Sequence, residues 1–209
     1  IRDTWVQGWY HQVPDVIGIA WLDLDHVNRL SKESYFRVGT QYTDQRAVGS
    51  NLLTGSDFST WNWAAYGEYG WKWLTLYGAY STTGKGQQLR NPYTSGPIYT
   101  QQLIKSFIRA GEDAWQIGAS VSADQLANGL STFLDYTDGS GAVDPANRSA
   151  LPDAYEYNVG MAWRYSEKGS IFDGFTARLR YGWAYDEMLF GKERTTNTRF
   201  EINWLIPFK

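Results

Sequence analysis

The chain has no cysteine, which excludes a disulfide framework and thiolate metal sites while leaving the compartment open. Its two histidines, His11 and His26, are too few for a metal cluster. No stretch approaches the roughly 18 consecutive apolar residues that a membrane-spanning helix needs. Helical 3.6-residue periodicity is almost absent. There is no run of basic residues, and the formal net charge is -3, which argues against a nucleic-acid partner. No secretory leader is visible. The opening Ile1-Arg2-Asp3-Thr4-Trp5 has the texture of the middle of a folded chain, so the numbering is expected to be that of a mature or truncated chain.

What is abundant is aromatic. In 209 residues there are 11 Trp, 15 Tyr and 9 Phe, with 21 Gly between them. A soluble domain of this size buries most of its Trp and Tyr. Transmembrane barrels instead place them in girdles at both membrane interfaces, where an apolar ring meets a wet edge. Without an apolar helix, a chain that crosses a bilayer must do so as a barrel, because only helices and closed barrels satisfy every backbone polar group in lipid.

Period-2 alternation supports that choice. Near the C-terminus Phe200, Ile202, Trp204, Ile206 and Phe208 share one face, and Arg199, Glu201 and Asn203 the other. Before it, Phe175, Ala177, Leu179, Tyr181, Trp183 and Tyr185 alternate with Thr176, Arg178, Arg180, Gly182 and Asp186. Similar patterns run through Tyr155–Tyr165 and Trp115–Ser122. About ten strands are predicted, at roughly 3–12, 16–26, 33–44, 60–70, 71–82, 112–124, 129–138, 153–166, 173–186 and 195–208. Many are about 10 to 14 residues long, the length a tilted strand needs to cross a bilayer. Connections near 45–59, 83–111, 139–152 and 187–194 look long or polar; those near 27–32, 70, 125–128 and 167–172 look short. Such alternation separates external loops from periplasmic turns, with Val13-Pro14-Asp15 a short link on the long-loop side. The expected fold class is all-β: an antiparallel transmembrane β-barrel, with 1–209 forming one domain or a portion of one. A soluble sandwich or barrel would also give alternation and Gly and Tyr enrichment. It accounts less well for long strands with Arg, Glu and Asn on one face and Trp, Tyr and Ile on the other.

Several short motifs then point to a family. They are Gln41-Tyr42-Thr43-Asp44-Gln45-Arg46 with Gly49 and Leu52-Leu53, and Asn91-Pro92-Tyr93 with Pro97 and Tyr99-Thr100. Ala110-Gly111-Glu112-Asp113-Ala114-Trp115, Gly129-Leu130-Ser131 and Arg178-Leu179-Arg180 follow. In this order and spacing the chain resembles the C-terminal part of OprD-type porins, substrate-specific channels of Gram-negative outer membranes. The resemblance implies a barrel of about eighteen strands of which this chain supplies about ten, an outer-membrane location, and contact with outer-membrane lipid and lipopolysaccharide. It further implies small-molecule solutes as cargo, and a homo-oligomer such as a trimer. Trp204, Ile206 and Phe208 resemble the aromatic C-terminal signal read by the assembly machinery, although Lys209 follows them.

A channel must attract, orient and release its solute. Guanidinium groups suit carboxylates, being always charged, planar and able to bond bidentately. Arg178 and Arg180 share a face of one strand, with Arg199 on the following strand and Arg164 on the preceding one, a basic track along one wall. These four resemble the family's ladder of basic residues in strand position and spacing, and Arg37 on an earlier strand is a weaker member. The alternative is that they pair with Glu156, Asp186 or Glu201 and brace the wall. The segment Thr83–Gly111 is too long for an idle connection. It resembles the family loop that folds inward and narrows the pore, which would place Asn91, Tyr93, Tyr99 and Thr100 at the constriction. Family members that take basic amino acids carry acidic residues in this loop, whereas Lys85–Ala110 holds no Asp or Glu, so the resemblance implies anionic rather than cationic solutes. The alternative is an external loop without pore contact.

Other signals are weaker. Gly84-Lys85-Gly86 lacks the glycine spacing and the following Ser or Thr of a phosphate loop. Asp135, Asp138 and Asp144, near Gly139 and Gly141, fit turn chemistry better than a calcium site. No G-x-S-x-G nucleophile motif occurs. No enzyme activity, cofactor or metal is therefore expected. The expected function is passive, selective diffusion of small, carboxylate-bearing solutes. A structural barrel that sheathes a partner and an outer-membrane lipid hydrolase are the competing functions.

Overall fold

The computed structural model describes residues 2–90, 98–165, 170, 172–188 and 191–204. Ten strands follow one another: β1 Arg2–Val13, β2 Ile17–Arg29, β3 Ser34–Arg46, β4 Ser59–Trp71, β5 Leu74–Thr83, β6 Asp113–Ser122, β7 Leu130–Ser140, β8 Ala154–Arg164, β9 Thr176–Met188 and β10 Gly191–Asn203. Each pairs antiparallel with the next in one sheet of sequential order, with β1 and β10 at its edges. The fold is all-β, as the alternation predicts.

One predicted connection is mostly strand among the described residues. At the polar stretch 187–194, Glu187 pairs with Lys192 and Asp186 with Glu193, so β9 and β10 continue into it. A barrel strand can outrun the apolar band, and its protruding end then carries polar residues without becoming a loop. Here the Lys192 ammonium meets the Glu187 carboxylate at 2.7 Å across the ladder.

The register sorts every side chain to one of two faces, because cross-strand partners point the same way. One face is apolar and uncovered: Ile117, Leu134, Phe200 and Ile202 are each more than half exposed. Leu22, Leu24, Val38, Leu76, Met161 and Leu179 extend the same band. Aromatic residues rim it at both ends. At one end lie Trp61, Trp63, Tyr80, Trp115, Tyr136, Tyr155, Tyr157 and Trp183; at the other lie Trp71, Trp163 and Trp204. On β8, Tyr155 and Trp163 are eight residues apart, about 26 Å along the strand. At a tilt of about 40° that is about 20 Å along the membrane normal, close to the roughly 25 Å apolar band of such barrels. A continuous apolar face of this extent is not what water tolerates on a monomer; it is the lipid-facing wall of a transmembrane barrel.

The other face is polar and is partly covered by the chain itself. Residues 84–90 and 98–112 of the connection between β5 and β6 lie against it. Near its base Ile17, Ile19 and Phe58 form a small apolar cluster with Trp9 and Val13. In β1 and β2 the apolar residues therefore occupy both faces, since Ile19 and Trp21 point inward while Leu22 and Leu24 point outward. Trp9 stacks on Trp21 with ring centroids 5.7 Å apart. The tight two-residue link after β4 is made by Lys72 at positive φ (51°) and Trp73.

Candidate functional site

The inner face has two unlike halves. Toward the long connections, β6–β9 present small residues: Ala114, Gly139, Ala154, Gly182 and Ala184. That flat wall leaves room for the 98–112 part of the inward segment. Toward the short turns, the same strands present large charged and aromatic groups. The sequence periodicity gives the faces but not this division, which needs the register.

The segment is fastened at several points. Thr60 Oγ1 donates to the Gln87 carbonyl at 2.6 Å, and the Arg90 N–H donates to Gln45 Oε1 at 2.8 Å. Tyr99 reaches across to β2, donating its hydroxyl to Asp23 at 2.8 Å. Thr100 is fully buried, its hydroxyl 2.6 Å from that of Ser81. Asn158 Nδ2 donates to Gln102 Oε1 at 2.8 Å, and Lys105 Nζ binds Asp186 at 2.5–2.6 Å. The segment thus spans the inner face from β2 to β9. Asn91 and Tyr93, expected at the constriction, lie outside the described residues, as do Ile206, Phe208 and Lys209.

Beneath it opens a cavity of about 760 Å³, whose lining includes Arg164, Arg178, Arg180, Glu201, Asp135 and Phe133. Arg178 and Arg180 are two residues apart on β9, about 7 Å along the strand. Arg199 on β10 is the direct cross-strand partner of Arg180. Arg164 on β8 pairs with Thr176, one step nearer the turns than Arg178. The four sequence-predicted arginines therefore occupy adjacent rows of one wall. Arg199 has Glu201 at 3.8 Å. Arg164, Arg178 and Arg180 form no ion pair within 4.0 Å among the described residues, and the Arg180 Nε is buried without a hydrogen-bond partner. Of the carboxylates that could have braced them, Asp186 holds Lys105 and Glu156 holds backbone of the inward segment, while Glu201 stays on the wall beside Arg199 as the cross-strand partner of Arg178.

Phe133 organises the pair. The Arg178 and Arg180 guanidinium carbons lie 5.7 and 5.8 Å from its ring centroid. Its ring can lie there because the cross-strand neighbour is Gly160; a Cβ at that position would meet Phe133 Cε1 at 2.5 Å. Phe133 faces inward on β7, and sequence alone gives no reason to single it out.

Arg37 stands apart on β3. It binds Asp25 on β2 through three contacts of 2.7–2.9 Å, and Asp25 is buried. Around it Glu68 accepts hydrogen bonds from the Tyr35 and Tyr66 hydroxyls. This wall is acidic and tyrosine-rich.

An apolar outer band, aromatic rims and a polar inner face narrowed by one long inward connection define the wall of a porin-type transmembrane barrel. Among solved structures it is similar to OprD-type porins. OprD from Pseudomonas aeruginosa superposes with a TM-score of 0.79 at 16% identity, covering 95% of this chain and 55% of that one. OpdK from Pseudomonas aeruginosa, solved with vanillate, gives 0.77 at 18% identity, covering 96% and 51%. A BenF-like porin from Pseudomonas fluorescens Pf-5 gives 0.77 at 14%, covering 97% and 51%. The chain thus has the fold of these porins and spans about half their length. No protein-family model and no curated protein matches it.

Proposed function

We propose that this chain is part of an outer-membrane porin of a Gram-negative bacterium that lets small carboxylate-bearing solutes diffuse along the Arg164–Arg178–Arg180–Arg199 wall. The observation that carries the proposal is the cavity: three of these guanidiniums line it, and none of the three has a carboxylate within ion-pair distance among the described residues. A solute carboxylate would supply the missing acceptors, bonding in the planar, two-pronged manner that guanidinium allows. Successive arginine rows about 7 Å apart along a strand would hand it on without deep trapping, as conduction requires. Between positions 85 and 110 the inward segment carries Lys85, Arg90, Lys105 and Arg109 and no Asp or Glu; Lys105 and Arg109 are paired with Asp186 and Glu112, which leaves Lys85 and Arg90 as its cations without an ion pair among the described residues. Tyr99 and the fully buried Thr100 would act as struts that hold the narrowing in place. Lipid and lipopolysaccharide would cover the outer band. Such a channel carries out no bond-making chemistry.

The test is solute uptake into vesicles containing the full-length protein, comparing small acids with their neutral amides. Acids should enter several-fold faster than the matching amides, and Arg178→Ala with Arg180→Ala should erase most of that advantage. Equal entry of acid and amide in the unmodified protein would refute carboxylate selection.

A further inference from the structure

Glu156 is an acidic residue fully buried on a wall of small side chains. Its neighbours on the inner face include Thr137 and Ala184, both fully buried, and Leu103 of the inward segment approaches Gly182 beside it. The carboxylate accepts the Ile104 N–H at 3.0 and 3.2 Å and the Lys105 N–H at 2.6 Å. Two consecutive backbone N–H groups of the segment therefore end on one side chain that stands 52 and 51 residues further along the chain. Buried N–H groups without an acceptor are rare because leaving them so is costly. Ala154, Ala184 and Gly182 offer no side-chain acceptor. Ionised carboxylate is the one side chain that can take both donors without presenting a donor of its own. The adjoining contacts, Lys105 to Asp186 and Gln102 to Asn158, close the same seam.

Building on the porin proposal above, we infer that Glu156 is the positioning residue of the inward segment: its carboxylate clamps Ile104 and Lys105 to β8 and thereby fixes the resting aperture of the channel. When the clamp opens, the 98–105 arm leaves the wall and the aperture changes, so the lifetime of the clamp sets how quiet the open channel is. A residue that only stiffens the wall would alter unfolding and leave the open-channel current steady.

Single-channel recording of the full-length protein in planar bilayers separates the two. Glu156→Gln keeps the shape but turns one acceptor into a donor facing an N–H group. It should raise the time spent in altered-conductance states at least about tenfold, equivalent to about 1.4 kcal/mol. The same substitution is then placed in a Ser81→Cys, Thr100→Cys background. The two hydroxyl oxygens are 2.6 Å apart, so a cysteine pair there is within reach of a disulfide. Oxidation should silence the added transitions and reduction should bring them back. Transitions that persist unchanged after oxidation would place the motion elsewhere and overturn the inference, as would a Glu156→Gln channel as quiet as the unmodified one. If Glu156→Gln fails to assemble, Glu156→Asp, one methylene shorter with its charge kept, should show intermediate noise, and a quiet trace overturns the inference equally. An unmodified protein that opens no channel refutes the porin proposal and this inference with it, whereas quiet variants of a conducting protein refute only the clamp.

Discussion

Adding one methyl group at Gly160 should cost more than its size suggests, because that position holds up the arginine wall. A Cβ there would sit 2.5 Å from Phe133 Cε1 and 2.7 Å from both Phe133 Cζ and the Leu179 carbonyl oxygen. The ring can tilt away, but the carbonyl belongs to the β8–β9 ladder and cannot move without shifting the strand. Overpacking of this kind costs about 1–3 kcal/mol. A displaced ring also loses its contacts with Arg178 and Arg180, each worth about 0.5–1 kcal/mol at partly exposed sites. Gly160→Ala should therefore destabilise the barrel by about 2–5 kcal/mol. Gly67 is the control: it faces outward on β4, with nothing within 4 Å of where its Cβ would lie. Gly67→Ala should be neutral or stabilising by up to about 1 kcal/mol, since a strand glycine has more backbone freedom to lose on folding. Reversible urea unfolding in lipid vesicles, followed by tryptophan fluorescence, measures both variants of the full-length protein. Equal midpoints for the two would show that Phe133 does not rest on Gly160 and that the described packing of the arginine wall is wrong.

Other substitutions probe the two faces. Leu134→Arg puts a charge in the middle of the outer band and should cost about 2–4 kcal/mol, whereas Leu130→Arg, beside Trp163 at the rim, should cost no more than about 1 kcal/mol; the same urea titration ranks them, and the reverse order would contradict the assigned membrane depth. The Arg37–Asp25 pair should respond asymmetrically, since Asp25 is buried while the Arg37 side chain is 44% exposed. Arg37→Ala strands a buried carboxylate and should cost about 3 kcal/mol, while Asp25→Ala frees a guanidinium that can turn to water and should cost about 1 kcal/mol; equal losses by urea titration would refute this asymmetry.

Much of the architecture is legible in sequence because a strand's side-chain period is two and lipid imposes a strict choice on one face. Phe200, Ile202 and Trp204 against Arg199, Glu201 and Asn203 could be sorted with no knowledge of partners. The rule weakens where a strand leaves the membrane. Lys192, Glu193 and Arg194 look like loop residues, yet they continue β10, because beyond the apolar band a polar strand is as comfortable as a polar loop. It also weakens where the inner face is itself covered: Ile19 and Trp21 point inward because the protein supplies its own apolar cover there. The placement of Arg164, Arg178, Arg180 and Arg199 on neighbouring strands is visible as spacing. Gly160 under Phe133, and Glu156 under Ile104 and Lys105, were not, since each depends on a partner tens of residues away that only the register brings alongside. The acidic wall of Asp23, Asp25 and Glu68 was hidden for the same reason.

On the proposed function, the unpaired guanidiniums on the inner wall should give the channel a preference for anions. Reversal potentials across a planar bilayer with a salt gradient, recorded for the full-length protein with and without Arg178→Ala plus Arg180→Ala, test it most directly. The account predicts anion-selective current that moves toward neutrality when both side chains are removed. A cation-selective or unselective channel, unchanged by the double substitution, would contradict it.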